Sequence, residues 1–237
     1  MLFDWDGTLL NSYRADAYAY RRMFRALGIG WTLQDLERHY TPDWYQVFRA
    51  AGLPRARWEE ANRLWRRFYR QRRPQLLPGA RRVLRRLAGF YVLGLVTSGD
   101  RRRVQRQLRG FALGRLFEAC VFHEDSPARK PHPGPLRVAL QRLRLAPATC
   151  AYVGDAPEDV EMARRAGLRV IGVLGPYPTH QRLKAACPDA LLDSIEELPG
   201  VISALQEART RVERVGGRHR DRTGNLRVAN AALSQLS

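Results

Sequence analysis

The chain has 237 residues and is 45% hydrophobic, which suits one α/β domain with an insert, or two small domains, with ample material for a core. It has no apolar run long enough to span a bilayer, no basic-then-apolar start, and three cysteines (Cys120, Cys150, Cys187) without metal-type spacing; these argue against a membrane or secreted protein and for a cytoplasmic one with reduced thiols. The net charge of +18 rests almost wholly on arginine, since Lys130 and Lys184 are the only lysines, and the arginines spread over every predicted helix, so a specific nucleic-acid partner is not expected.

Residues 2–6, LFDWD, read as the end of a strand that delivers Asp4 and Asp6 to a turn. Residues 13 to about 73 read as helical, with apolar residues at helical spacing in ADAYAYRRMFRALG and RWEEANRLWRRFYRQ. Gly28, Gly30, Pro42, Gly52 and Pro54 divide this block into about four helices, and LLPGA at 76–80 signals another helix start. The pattern then alternates. YVLGLVTSG is a buried parallel strand ending in small polar residues, followed by the helix DRRRVQRQLRGF, the strand and loop CVFHED and the helix PGPLRVALQRLRL. The strand TCAYVGDA, the helix PEDVEMARRAGL, the strand RVIGVLG, a helix over 179–187 and an edge strand over 189–192 complete it. This predicts an α/β fold with a doubly wound, Rossmann-like parallel sheet: residues 1–12 and 76–203 as core, 13–75 as an inserted α-helical cap. Residues 208–237 turn basic and aperiodic and are expected to be disordered; the stretch DRTGNLRVANAALSQLS also reads like tRNA-gene sequence translated in an extended frame.

In an open α/β sheet, the C-terminal ends of the strands border one crevice. Asp4, Asp6, Thr97, Ser98, Lys130, Asp155 and Asp159 all fall at or just beyond such ends. Singly they could be turn formers, helix caps, a surface lysine or a first-turn acid. Jointly they bring carboxylates, a hydroxyl and an ammonium to one place. Clustered carboxylates call for a cation between them, and oxygen donors without histidine or cysteine suit Mg²⁺. Lysine and hydroxyl would hold phosphate oxygens, one carboxylate could attack phosphorus, and another could carry the proton. The chemistry implied is Mg²⁺-dependent phosphoryl transfer. His123 and His132 read as loop residues, and Tyr40, Trp44, Tyr45, Trp65 and Phe68 as packing within the cap.

FDWDGTLLNS, VTSG, RKP and GDAPED, in this order, resemble the four signatures of the haloacid dehalogenase superfamily, and the helical insert resembles the cap of its phosphoglycolate-phosphatase-like branch. The resemblance covers roughly residues 1–200. It implies that Asp4 is the nucleophile and that Asp6 is the general acid/base, its backbone carbonyl also on Mg²⁺. Thr97 and Lys130 would hold the transferring phosphoryl group, with Thr8, Ser98 and Gly99 contributing to substrate binding. Asp155 would ligate Mg²⁺, supported by Asp159. Thr41, Asp43, Trp44 and Arg49 are the candidates for facing the substrate from the cap. Two departures stand out: only Met1, Leu2 and Phe3 precede the nucleophile, as in a misassigned start or a fragment, with weakened folding expected; and Arg129 replaces the usual glycine before Lys-Pro. The implied function is a phosphatase for a small phosphorylated metabolite, such as phosphoglycolate or a sugar phosphate, in a monomer or homodimer. The alternatives are a phosphomutase of the same fold and a non-catalytic basic RNA-associated protein. Dehalogenation is disfavoured by the presence of Asp6.

Overall fold

The computed structural model describes residues 1–204. Six parallel strands form its sheet: β1 (Leu2–Phe3), β4 (Gly94–Val96), β5 (Ala119–Val121), β6 (Ala151–Gly154), β7 (Arg169–Val173) and β8 (Ala190–Leu192), in the order β5-β4-β1-β6-β7-β8. β1 lies inside, with Leu2 opposite Gly94 and Tyr152, and Phe3 opposite Leu95 and Val153. The strand is only two residues long, yet its ladder continues past both ends: Gly94 N–H donates to the Met1 carbonyl and Asp4 N–H to the Val153 carbonyl, each at 2.9 Å. The chain runs outward from β1 in both directions, so the strand order reverses at β1 and opens a crevice beyond its C-terminal end.

The parallel strands require helical crossovers, and the alternating sequence supplies them. These are α5 (Ala80–Ala88), α6 (Arg101–Gly110), α7 (Gly134–Leu143), α8 (Pro157–Arg165) and α9 (His180–Ala185). α7 packs on β4 and β5, and α8 on β6 and β7. Leu2, Val96, Val121, Tyr152 and Val170 share one core cluster with Leu136 and Leu140 of α7 and Val160 and Met162 of α8. α5 buries Val83, Leu84 and Leu87, and α6 buries Val104 and Leu108. The expected edge strand is present as β8. Residues 198–204, which fall in a second compact unit beginning at Glu196, are helical; the basic stretch 208–237 lies outside the described residues.

Between β1 and α5 stand α1 (Tyr13–Ala26), α2 (Leu33–His39), α3 (Trp44–Ala50) and α4 (Trp58–Tyr69), the four helices expected. They have their own core of Tyr20, Met23, Phe24, Leu36, Val47 and Phe48. One detail differs from the sequence expectation. Residues flanking the insert form a two-stranded antiparallel ribbon, β2 (Leu10–Asn11) with β3 (Gln75–Leu76), which runs of two residues are too short to signal. The helix signalled by LLPGA starts at Ala80, with Gly79 in a left-handed turn (φ 71°) as the N-cap.

Leu84 is fully buried in α5. Leu84→Ala should lower the unfolding free energy by about 2–5 kcal/mol, against a change within about 0.5 kcal/mol for Ala at the exposed Arg85, both read from urea denaturation midpoints.

Candidate active site

Asp4 sits at the last hydrogen bond of β1, where the ladder ends and the crevice begins. Its carboxylate meets the Lys130 ammonium at 2.9 Å, and the same nitrogen meets Asp159 at 2.7 Å. Asp159 lies in the first turn of α8; the oxygen that faces Lys130 also accepts from the Tyr152 hydroxyl (3.3 Å), and its other oxygen accepts from the Ala156 N–H (3.1 Å). Asp155 follows β6 directly. One of its oxygens accepts from the Thr8 hydroxyl at 2.9 Å, and its backbone carbonyl accepts from the Thr179 hydroxyl at 2.8 Å. Gly7 has φ 85°, and a side chain there would fall on the Asp155 carboxylate, so the turn after β1 demands glycine twice over. Carboxylate oxygens of Asp4, Asp155 and Asp159 all lie within 4.8 Å of one another.

One ammonium among three buried carboxylates leaves excess negative charge. Burial, only partly offset by Lys130, pushes Asp4 up to about 7, and burial with repulsion from Asp4 and Asp159 holds Asp155 well above the usual carboxylate range. Burial works against the charge on Lys130, but Asp159 and Asp4 outweigh it and hold the ammonium above the ordinary lysine range.

Asp6 is turned away from this cluster. Arg103 grips it through two parallel hydrogen bonds, 2.9 Å to one oxygen and 2.6 Å to the other. The guanidinium also reaches the Tyr69 hydroxyl (3.3 Å) and lies against the Tyr69 and Trp65 rings, 5.1 and 5.9 Å from their centroids. Gly99 makes room for it, since a side chain there would overlap the guanidinium. Arg103 was not foreseen: it stands in a run of three arginines that reads as a solvated face. Its one signal is the neighbouring Val104, which with Leu108 marks the buried side of α6.

Strand ends and insert enclose a cavity of about 110 Å³, bordered by Asp4, Asp6, Asp155, Thr97, Ser98 and Gly99 from the core. The Thr97 hydroxyl accepts from the Gly99 N–H at 3.0 Å, while Asp100 caps α6 by accepting from the Arg103 N–H, so Thr97 and Ser98 are not the caps of that helix. From the insert, Thr41 and Trp44 border the cavity, Trp65 borders it besides packing within the insert, and Tyr40, expected to pack within the insert, stacks instead on Tyr177 of the core, 4.6 Å between centroids, and borders the cavity too. Two insert candidates do not. Asp43 is the N-cap of α3, and Arg49 is exposed near the end of that helix, 3.8 Å from Asp43 and over the Trp58 ring. Thr8 likewise serves Asp155 rather than the cavity. His123, expected to be only a loop residue, borders it, edge-on to Trp44. Asp16 was missed altogether. It is an acid on the apolar face of α1, buried, accepting from the Trp65 indole (2.9 Å) and the Tyr177 hydroxyl (3.3 Å).

Arg129 departs from the glycine expected before Lys-Pro. Its guanidinium lies 4.4 Å from the Trp44 ring centroid and 4.3 Å from that of Tyr45, so the residue next to Lys130 is clasped by α3.

A doubly wound sheet carries, at the end of its central strand and beside a helical insert, a cluster of buried carboxylates with one buried lysine among them. The sequence profile of haloacid dehalogenase-like hydrolases matches residues 1–173, and the chain belongs to that family. It is 33% identical to a phosphoglycolate phosphatase of Synechococcus elongatus, over 86% of this chain and 97% of that protein. It is 29% identical to the pyrophosphatase PpaX of Bacillus velezensis, over 84% of this chain and 93% of that one. The crystal structure of a predicted phosphoglycolate phosphatase from Haemophilus somnus superimposes with a TM-score of 0.76 at 22% identity, over 85% of this chain and 96% of that one, a likeness of fold.

Two outcomes are expected. Arg103→Gln leaves Asp6 without its partner and should destabilise the fold by on the order of 3 kcal/mol; the double variant with Asp6→Asn should recover part of that in denaturant titrations. Burial, with repulsion from Asp6, pushes Asp16 from near 3.8 up to about 7. The folded state therefore holds a proton that the unfolded state has lost between about pH 4 and pH 7, and this group's contribution to stability falls as pH rises through that window. Wild type should lose stability from pH 5 to pH 7.5 more steeply than Asp16→Asn, as read from melting temperatures at fixed ionic strength.

Proposed function

We propose that the protein is a Mg²⁺-dependent phosphatase acting on a small phosphate monoester through an aspartyl-phosphate on Asp4. The observation that carries this reading is the buried Asp4–Lys130 contact at the end of the central strand, opening on the cavity. The acid set also fits Mg²⁺. All donors are oxygens, the carboxylates outnumber the ammonium, and Asp159 is already taken up by Lys130, Tyr152 and Ala156. Asp4, Asp155 and the backbone carbonyl of Asp6 would hold the ion. When bound, it would supply positive charge beside the phosphoryl oxygens and balance the excess of carboxylates.

The chain's own residues account for the rest. A carboxylate oxygen of Asp4 attacks phosphorus as the ester P–O bond breaks, and Asp6, once protonated and freed from the Arg103 pair that holds both its oxygens in this structure, gives a proton to the departing alkoxide. Water then attacks the aspartyl-phosphate, passes its proton to Asp6, and leaves inorganic phosphate and a free Asp4. Lys130 steadies the Asp4 carboxylate and the charge on the phosphoryl oxygens, and the Thr97 hydroxyl, itself oriented by the Gly99 N–H, would hold the phosphoryl group with the N–H of Ser98. The insert excludes bulk water. Relatives named as phosphoglycolate phosphatase and pyrophosphatase support hydrolysis of a small phosphorylated compound.

The test is phosphate release from a panel of small esters in Mg²⁺ and in EDTA. Turnover should need Mg²⁺ and fall by at least about 10³-fold in Asp4→Asn. Equal rates in wild type and Asp4→Asn would exclude the mechanism.

A further inference from the structure

Resting on the phosphatase reading, we infer that the leaving-group side of the cavity is built for a short, uncharged polyol, with Asp16 rejecting esters that carry a second anionic group. The cavity of about 110 Å³ must hold the phosphoryl group as well. It is smaller than the ~150 Å³ space that accommodates benzene, which favours a short leaving group.

The walls set the chemistry. Tyr20, Tyr40, Trp44, Trp65 and Tyr177 present aromatic surface, which suits C–H groups. Among the described residues, the hydrogen-bond partners of Asp16 are the neutral Trp65 and Tyr177, one to each oxygen, leaving acceptor capacity toward the cavity. The Trp44 indole N–H is buried with no partner. An alcohol meets both needs, since it donates to Asp16 and accepts from Trp44. A substrate carboxylate or second phosphate can accept from Trp44, but above about pH 7, where Asp16 is ionised, it has no proton to offer Asp16 and meets a like charge. The charged groups facing Asp16 do not relieve this. Asp6 is an acid, and the Arg103 fork is filled by Asp6 itself, so an incoming anion would have to displace that pair. Arg66, the other cation bordering the cavity, is exposed.

The test is run at pH 8.5, where Asp16 is ionised, on matched pairs that differ only in CH₂OH against carboxylate: glycerol 3-phosphate with 3-phosphoglycerate, and 2-hydroxyethyl phosphate with phosphoglycolate. Wild type should favour the alcohol of each pair by at least 10-fold in kcat/KM. Asp16→Asn should shrink that ratio to within about 3-fold, chiefly by gaining on the carboxylated ester. Trp44→Phe should weaken the alcohol selectively through KM. Calorimetric binding of the same four esters to Asp4→Asn, which keeps the cavity walls, reads the preference without turnover. Tighter binding of the alcohols with no phosphate release from any ester in wild type would sink the phosphatase reading and leave this inference standing. A carboxylated ester bound or turned over as well as its alcohol partner would overturn the inference while leaving the phosphatase reading intact.

Discussion

Lys130 holds Asp4 on one side and Asp159 on the other with nearly no contact with water. A buried ammonium is tolerable only with such partners, and buried carboxylates only with such a cation, so each group fixes where the others must be. Much of the surrounding architecture follows from that mutual dependence. Asp4 arrives on the innermost strand, Asp159 on the first turn of α8, and Lys130 on the loop before α7. Three crossovers of one sheet must therefore close correctly before the charges meet. The tight turn at Gly7 brings the backbone against Asp155, and the Thr8 hydroxyl restrains that carboxylate as the fourth charge in the group.

The parts of this arrangement legible in the sequence are those in which chemistry and chain position coincide. A parallel strand announces itself as a short apolar run, and the polar residue after it can only stand at the crevice, so Asp4, Asp6, Thr97 and Asp155 were placed by local pattern alone. The four helices of the insert were legible for a similar reason, since their apolar residues recur at the helical period around Tyr20, Phe24 and Phe48. What stayed hidden depends on pairs far apart in the chain. The Asp6–Arg103 pair spans 97 residues, and nothing local separates Arg103 from its two arginine neighbours. Tyr177 reaches Asp16 across 161 residues. The insert candidates were mixed because side-chain direction in a short helix follows from its cap. Asp43 is consumed in starting α3, which leaves Trp44 against the cavity and carries Arg49 out to solvent.

The abundance of arginine takes on a second meaning in three dimensions. Besides solvated faces, several guanidinium groups lie over aromatic rings of the insert: Arg22 on Phe68, Arg72 on Tyr18, Arg49 and Arg55 on Trp58. Such stacking depends on the flat, weakly hydrated guanidinium and would not survive a change to lysine with the same geometry.

Arg129 belongs to that group and has the largest mechanical reach. It is clasped by Trp44 and Tyr45 of the insert and bonded through one peptide to Lys130 of the core. The insert thereby has a handle on the residue beside the central ammonium. Trp44 and Tyr45 both belong to α3, so any displacement of that helix from the sheet would either part Arg129 from its two rings or draw on the loop that carries Lys130.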